Sequence, residues 1–306
     1  MTTETLPPAA ATPAATAGGR RSAAGLLLAP AVAAMSALIV LPIVAVLALS
    51  FFHFDPLSQR LQWVGVDNWR AVISGGPLRG ALLRTIGYAA VVVPAQVVIG
   101  LLLAVLIDSV GRHGAFWRVV LFLPSACTLA AMAVVWRWLF YPNDGVFDLT
   151  VGRTVGAYDW LNSTGLSLAA VAVVGCWFGI GSSMIVFLAG LTTVSSTTLD
   201  AARMDKASAL QRFWHVTLPA LRPAGTFATV IAIGDALRVF DQVRVMTQGG
   251  PLDSSTTLSY LQYTIGVENL DIGSGAVVSV LLLVLTLVAI ATQLRLGRDH
   301  ASAVAR

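Results

Sequence analysis

The chain has 306 residues, of which 57% are hydrophobic and 11% charged, less than half the charged share of an average soluble domain. A mean hydropathy of +0.80, with apolar runs able to cross a hydrocarbon core of about 30 Å, indicates an integral membrane protein and excludes fibrous, disordered and nucleic-acid-binding classes. The net charge of +4 rests on 19 Lys and Arg residues that cluster at the ends of apolar runs, so it encodes membrane topology and not an acidic partner.

Residues 1–22, rich in Pro, Ala and Thr and closing on Arg20 and Arg21, read as a disordered tail. The apolar run 26–52 is too long for a signal-peptide core and reads as a retained first span. Further spans are expected at 86–107, 119–140, 168–191, 227–245 and 276–294. The expected fold class is therefore all-α integral membrane, with residues 23–306 forming one six-span domain. An even number of spans puts both termini on one side. Placing them inside gathers Arg20, Arg21, Arg112, Arg118, Arg203, Lys206, Arg212, Arg222, Arg295, Arg298 and Arg306 on inner segments, so cytoplasmic N- and C-termini are expected.

The segment 192–223, between spans 4 and 5, is the longest inner one, and the machinery is expected there. Loops 54–85, 141–165 and 247–275 carry Gly, Pro, Asn and Asp turn signals and read as an outer docking surface. Cys127 and Cys176 sit in apolar runs and read as packing residues. Lys206 is followed by Ala207 and lacks a glycine-rich lead-in, so no P-loop exists and any ATP must bind another subunit. His53, His113, His215 and His300 are scattered without metal-ligand spacing, so no metal site is expected. No carboxylate pair suggests hydrolytic chemistry, and the chain is not expected to be an enzyme.

Charged residues within a span cost at least about 2.5 kcal/mol each near its centre, so Asp235, Arg238, Asp241 and Arg244 call for a reason. Their i, i+3 spacing forms an alternating ladder along one helix face. Two readings stay open: the ladder neutralises itself against a neighbouring helix, or it hydrogen-bonds a sugar. For the second, the outer half of span 5 and the beginning of span 4 (Trp177, Phe178, Gly179 and Ser182) supply the hydrogen-bonding groups and an aromatic ring for stacking. Trp177 by itself reads as packing or an interface anchor, and Arg137, between Trp136 and Trp138, as a snorkelling side chain in an aromatic belt. The alternative function is an ion-coupled secondary transporter using the ladder as its coupling site, which predicts an internal repeat that the sequence lacks.

The stretch from Asp200 to Pro223 resembles the Glu-Ala-Ala loop of ABC importer permeases, with Ala201, Ala202, Asp205, Ala207, Phe213, Leu218 and Pro219 on the family spacing. Asp200 stands where the family has Glu, and Lys206 where it has Gly. The run from Trp177 to Leu191 is similar to the fourth-span signature of carbohydrate-type permeases. Phe240-Asp241, Thr247-Gln-Gly249-Gly250-Pro251 and Thr256-Thr257-Leu258 are similar to a further element of that group, and Trp63-Val-Gly65-Val-Asp67-Asn68-Trp69 to another. The chain looks like the maltose-permease F-subunit side of a pair, without that subunit's large extracellular insertion.

This resemblance implies a permease subunit of a binding-protein-dependent importer in the inner membrane, moving a sugar, related polyol or glycerophosphodiester by alternating access. It implies a second six-span permease subunit, an ATPase subunit dimer carrying ATP and Mg, an extracytoplasmic substrate-binding protein and surrounding membrane lipid as partners; this chain itself binds no cofactor. Coupling to the ATPase falls to Asp200, Ala201, Ala202, Asp205 and Lys206, with Asp200 expected at the start of a short helix, where a carboxylate is favourable. The substrate path takes Trp177, Phe178, Gly179, Ser182, Asp235, Ala236, Arg238 and Asp241, and contact with the binding protein takes Gly249, Gly250 and Pro251. If the family glycine needs a left-handed backbone, Lys206 there costs about 1 to 2 kcal/mol; otherwise the turn differs in this chain.

Overall fold

The computed structural model describes residues 28–55, 60–142, 145–147, 149–150 and 159–304. The tail 1–22, with Arg20 and Arg21, and the basic residues Arg153 and Arg306 lie outside them. Residues 1–48 and 49–306 form two units. The first carries all but the last residue of α1 (Leu28–Leu49), a 22-residue helix with a π-turn at Ser36–Val40. It is apolar on every face, as suits a helix whose solvent is lipid.

The second unit opens with a hairpin of β1 (Phe52–Asp55) and β2 (Arg60–Trp63), paired antiparallel with Phe52 opposite Trp63. Helix α2 (Asp67–Ser74) follows. Asn68 Nδ2 donates to the carbonyls of Ser50 (3.1 Å) and Phe52 (2.9 Å), and Trp69 Nε1 to Ser50 Oγ (3.2 Å). The Trp63–Trp69 motif is thus a clamp that satisfies backbone groups at the end of the hairpin.

Helix α3 (Gly76–Ser109) begins ten residues before the expected span 2, with Pro77 in its first turn, where no amide partner is needed. Next come α4 (Gly114–Ala126) and α5 (Leu129–Leu139), then α6 (Ser167–Leu191) and α7 (Ser196–Met204). They are followed by α8 (Ala209–Ala220), α9 (Arg222–Leu237), α10 (Leu258–Tyr263) and α11 (Ile272–Val304). Four of these helices are long and apolar enough to span a membrane, and up to six spans result if each bent pair counts as one. The described residues are mostly helical.

Two expected spans are corrected. Segment 119–140 is not straight: α4 and α5 meet at 95°, where Cys127 takes an extended backbone three residues past Pro124. Segment 227–245 ends early, α9 stopping at Leu237 after leaving α8 through a 65° bend at Leu221.

The core is built on α3 and α6. Every fourth residue of α3 from 88 to 104 (Tyr88, Val92, Gln96, Gly100, Ala104) is buried. On α6, Gly175, Gly179 and Ser183 repeat the same step. A Cβ on Gly175 would collide with the Tyr88 hydroxyl, one on Gly179 with the Gln96 amide, and one on Gly100 would sit 2.6 Å from Ser183 Cβ. Small residues therefore let the two helices approach closely, the usual means of association in lipid, where apolar burial alone gives little. Leu221, Ala228 and Phe187 join α9 to this pair at one end, and Ala81, Leu237, Leu258 and Val277 join α9, α10 and α11 to α3 at the other.

Candidate functional site

The α7–α8 segment is a helix-turn-helix closed by local chemistry. Ser195 caps α7, its hydroxyl accepting from Thr198 N at 3.4 Å. Asp200 is therefore not at the helix start as expected but in its middle, exposed and paired with Arg203 at 2.7 Å. The helix starts earlier because Ser195 caps it, the first of four successive Ser and Thr residues, 195–198, that are all competent caps.

At the C-terminus of α7, Lys206 N donates to Arg203 O (3.0 Å) and Ala207 N to Ala202 O (3.0 Å), the paired bonds of a Schellman turn. Lys206 occupies its left-handed position, with φ of 59°. Of the two alternatives for Lys206, the turn is the one glycine would make, and the lysine accepts the backbone cost. Ser208 and Gln211 then form a capping box that starts α8, and Arg212 donates to the Ala207 carbonyl between the helices. Asp205 closes α7 as its C-cap, Ala202 is half-buried, and Ala201 is exposed. Met204 (83% exposed), Leu210 and Trp214 add an uncovered apolar surface that the motif did not flag.

Between α3, α6 and the end of α9 lies a cavity of about 390 Å³. It brings together Phe178, Gly179, Asp235, Ala236, Arg238 and Asp241 from the expected path. Trp177 and Ser182 are not among its lining; Trp177 instead meets Trp136 edge-on, with ring centroids 5.2 Å apart. Sequence reasoning missed Tyr88, Gln96, Phe240 and Gln242, which also line it. The available signal was Tyr88 and Gln96 themselves, polar residues eight apart in an otherwise apolar span. Gln96 Nε2 donates to Ser183 Oγ at 3.3 Å, and Gln242 is buried with its Oε1 unpartnered among the described residues.

The charge ladder of 235–244 is corrected. Arg238 leaves the helix (φ −99°, ψ 18°) and turns its Nε back to the Gly234 carbonyl at 2.9 Å, while its Nη2 stays 3.4 Å from Asp235. An arginine capping the last carbonyls ends the helix there. Thr257 Oγ1 donates to the freed Val239 carbonyl at 2.9 Å, and Leu258 N, the first amide of α10, donates to Thr85 Oγ1 at 2.8 Å. Arg244 pairs with Glu268 at 2.9 Å and lies 4.9 Å from the Tyr263 ring centroid, so the ladder does not continue through it. Arg137 donates to the Val245 carbonyl at 3.3 Å, which ties α5 to this turn in place of the expected snorkelling.

In the following turn Gly249 is buried with φ of 80°, and a Cβ there would lie 2.6 Å from both Thr256 Oγ1 and the Tyr260 ring. Ser255 Oγ donates to the Gly250 carbonyl (2.9 Å) and lies 2.8 Å from Thr247 Oγ1. What this braced turn presents outward is Leu252, 89% exposed, next to Asp253, both with left-handed backbones.

Comparison with known proteins agrees with this arrangement. Residues 71–299 match the family described as "Binding-protein-dependent transport system inner membrane component". The chain is 29% identical over 273 residues to the sn-glycerol-3-phosphate transport system permease protein UgpA of Salmonella typhi, covering 88% of this chain and 92% of that protein. It is 30% identical over 275 residues to the sulfoquinovosyl glycerol transport system permease protein SmoG of Agrobacterium fabrum, covering 89% of each. Its fold is similar to that of a chain in the crystal structure of a bacterial ABC transporter involved in the import of the acidic polysaccharide alginate. The TM-score is 0.79 at 18% identity, over 92% of this chain and 96% of that one.

Proposed function

We infer that this chain, which belongs to the family of binding-protein-dependent transport system inner membrane components, is one of two permease subunits of an ATP-driven carbohydrate importer and works by alternating access. Six spans result when the bent pair α4–α5 counts as one crossing and α9, which leaves α8 through the 65° bend, as another. The basic residues of 108–118 and of the C-terminal end support cytoplasmic termini in this arrangement.

An ATPase subunit dimer, which binds ATP and Mg²⁺, seats α7 and α8. Ala201 and the uncovered Met204, Leu210 and Trp214 form the contact, with Asp200, Asp205 and Lys206 supplying charge. The observation that carries this reading is that α8 runs through the buried Leu221 directly into α9, whose far end bears Asp235 and Ala236 of the cavity. Movement imposed on the loop reaches the substrate path within one chain segment. The extracytoplasmic binding protein docks over the 249–254 turn, on which Leu252 projects, and delivers a sugar, related polyol or glycerol-phosphate ester; the names of UgpA and SmoG lie within that range. Ion coupling loses its support, because α9 ends before Asp241 and no charge ladder runs along it.

The test is ATP hydrolysis by the complete complex in lipid nanodiscs, with and without its loaded binding protein. Asp200→Ala is expected to reduce the stimulated rate tenfold or more. Its effect on thermal stability should stay within about 0.5 kcal/mol, since an exposed pair such as Asp200–Arg203 contributes little. Full stimulation in a folded Asp200→Ala complex would remove the loop from the mechanism.

A further inference from the structure

We propose that a groove between α3 and α6 holds one acyl chain of an anionic phospholipid whose phosphate binds Arg84. The groove, about 520 Å³, is lined by Gly87, Val91 and Ala95 of α3 and by Leu168, Ala172 and Val173 of α6, and no charged residue enters it. Its length suits a lipid chain. Eight residues separate Gly87 from Ala95, and eight separate Leu168 from Cys176, about 12 Å along each helix, against about 15 Å for one leaflet of the hydrocarbon core.

Gly87 shows that the space is kept for a neighbour outside the chain. It is exposed in the middle of α3, its backbone is not left-handed, and a Cβ there would meet no atom within 4 Å. Neither packing nor conformation within the chain requires this glycine, and glycine weakens a helix relative to alanine.

Charge identifies the neighbour. Arg84 lies one turn nearer the start of α3 and falls within about 20° of Val91 and Ala95 around the helix axis, on the stripe that lines the groove. Its guanidinium is folded back over Gly80, where a Cβ would lie 2.7 Å from Nη1, so it points toward the helix start and away from the hydrocarbon. It has no carboxylate partner among the described residues. An anion beside Arg84 and an apolar chain below it follow the order of a phospholipid. A net-negative headgroup is favoured over a zwitterionic one, whose cation would come near the guanidinium. Tyr88 and Val92 line both the groove and the cavity, so the bound chain backs the wall of the substrate path. The inference needs the membrane setting of the importer reading and is independent of its cargo.

The test is photolabelling of the complete complex in nanodiscs. Phosphatidylglycerol and phosphatidylcholine, each with a diazirine midway along one chain, serve as separate probes, and adducts are mapped by peptide mass spectrometry. Adducts are expected on Val91, Ala95, Ala172 and Val173, at least fivefold more from phosphatidylglycerol, and in excess of those on Ile86 and Ala90, which are exposed on another face of α3. Arg84→Gln should reduce the phosphatidylglycerol yield to that of phosphatidylcholine. Gly87→Phe, whose Cβ meets nothing, should remove groove adducts from both probes without lowering thermal stability.

Equal yields from the two probes in the wild type overturn the inference, as does labelling of Ile86 and Ala90 equal to that of the groove, the mark of bulk lipid. Absence of groove adducts from both probes also overturns it and gives the groove to another polypeptide, such as the second permease subunit. ATP hydrolysis stimulated by the loaded binding protein, read in the same nanodiscs, tests the importer reading by itself, so labelling can fail while that reading stands.

Discussion

The 195–220 loop and the 234–258 wall of the cavity face the same problem, ending a helix without stranding its backbone groups, and solve it over different distances. In the loop, Lys206 and Ala207 close α7 and Ser208 with Gln211 opens α8, all within a few residues. In the wall, Arg238 caps Gly234 locally, but the Val239 carbonyl depends on Thr257, 18 residues on, and the first amide of α10 on Thr85, 173 residues away. The loop is a self-contained module that keeps its shape wherever it is moved. The wall keeps its shape only while α3, α9 and α10 stay packed.

Substitutions break or sharpen this contrast. The largest effect is expected where the wall is tightest. Gly175→Val drives a side chain into the space of the Tyr88 hydroxyl and should destabilise the complex by about 3 kcal/mol, with uptake reduced a hundredfold. Thermal unfolding in detergent and proteoliposome uptake check it, and a variant that matches the wild type in both would make the wall as adaptable as the loop.

Thr257→Val comes next. It strands the Val239 carbonyl and the Tyr260 amide inside the protein and should cost about 2 kcal/mol, again read by thermal unfolding. If it is neutral, the end of α9 does not depend on a distant partner.

Lys206→Gly tests the loop and has the opposite sign. Glycine adopts the left-handed turn without steric cost, so stability should rise by about 1 kcal/mol while stimulated ATP hydrolysis is retained. A fall in stability would mean that the lysine side chain, and not the backbone, governs this position.

The same difference in distance explains what could be read from the residues alone. Apolar run length located α1, α3, α6 and α11, because a span signals itself within its own residues. The loop was legible through the spacing of Ala201 to Pro219, and Lys206 was identified there as the position at issue. The breaks at Cys127 and Arg238 were not legible. The apolar run continues past the first, and the second is stabilised by Thr257 and Thr85, which no local pattern connects to it.

In the cavity, Phe178 and Gly179 are expected from the family resemblance, and the structure sets them on one α6 stripe with Gly175. Trp177, next in sequence but rotated about 100° around the helix, meets Trp136 instead. Gln242 was hidden for a different reason. Seven residues past Asp235, it would share that face even in a continuous helix, but it is uncharged and stands beside Asp241, whose charge dominates the local pattern.

The buried elbow at Leu221 sets a mechanical ratio. Helix α9 has 16 residues beyond it, an arm of about 24 Å at 1.5 Å per residue. If α8 and α9 turn together as a lever, with Leu221 as fulcrum, a rotation of about 10° swings the Asp235 end through roughly 4 Å, close to the width of a hydroxylated carbon chain. A change of a few degrees at the membrane surface then suffices to admit or release cargo, and stiffness at a single residue determines how much of each stroke arrives.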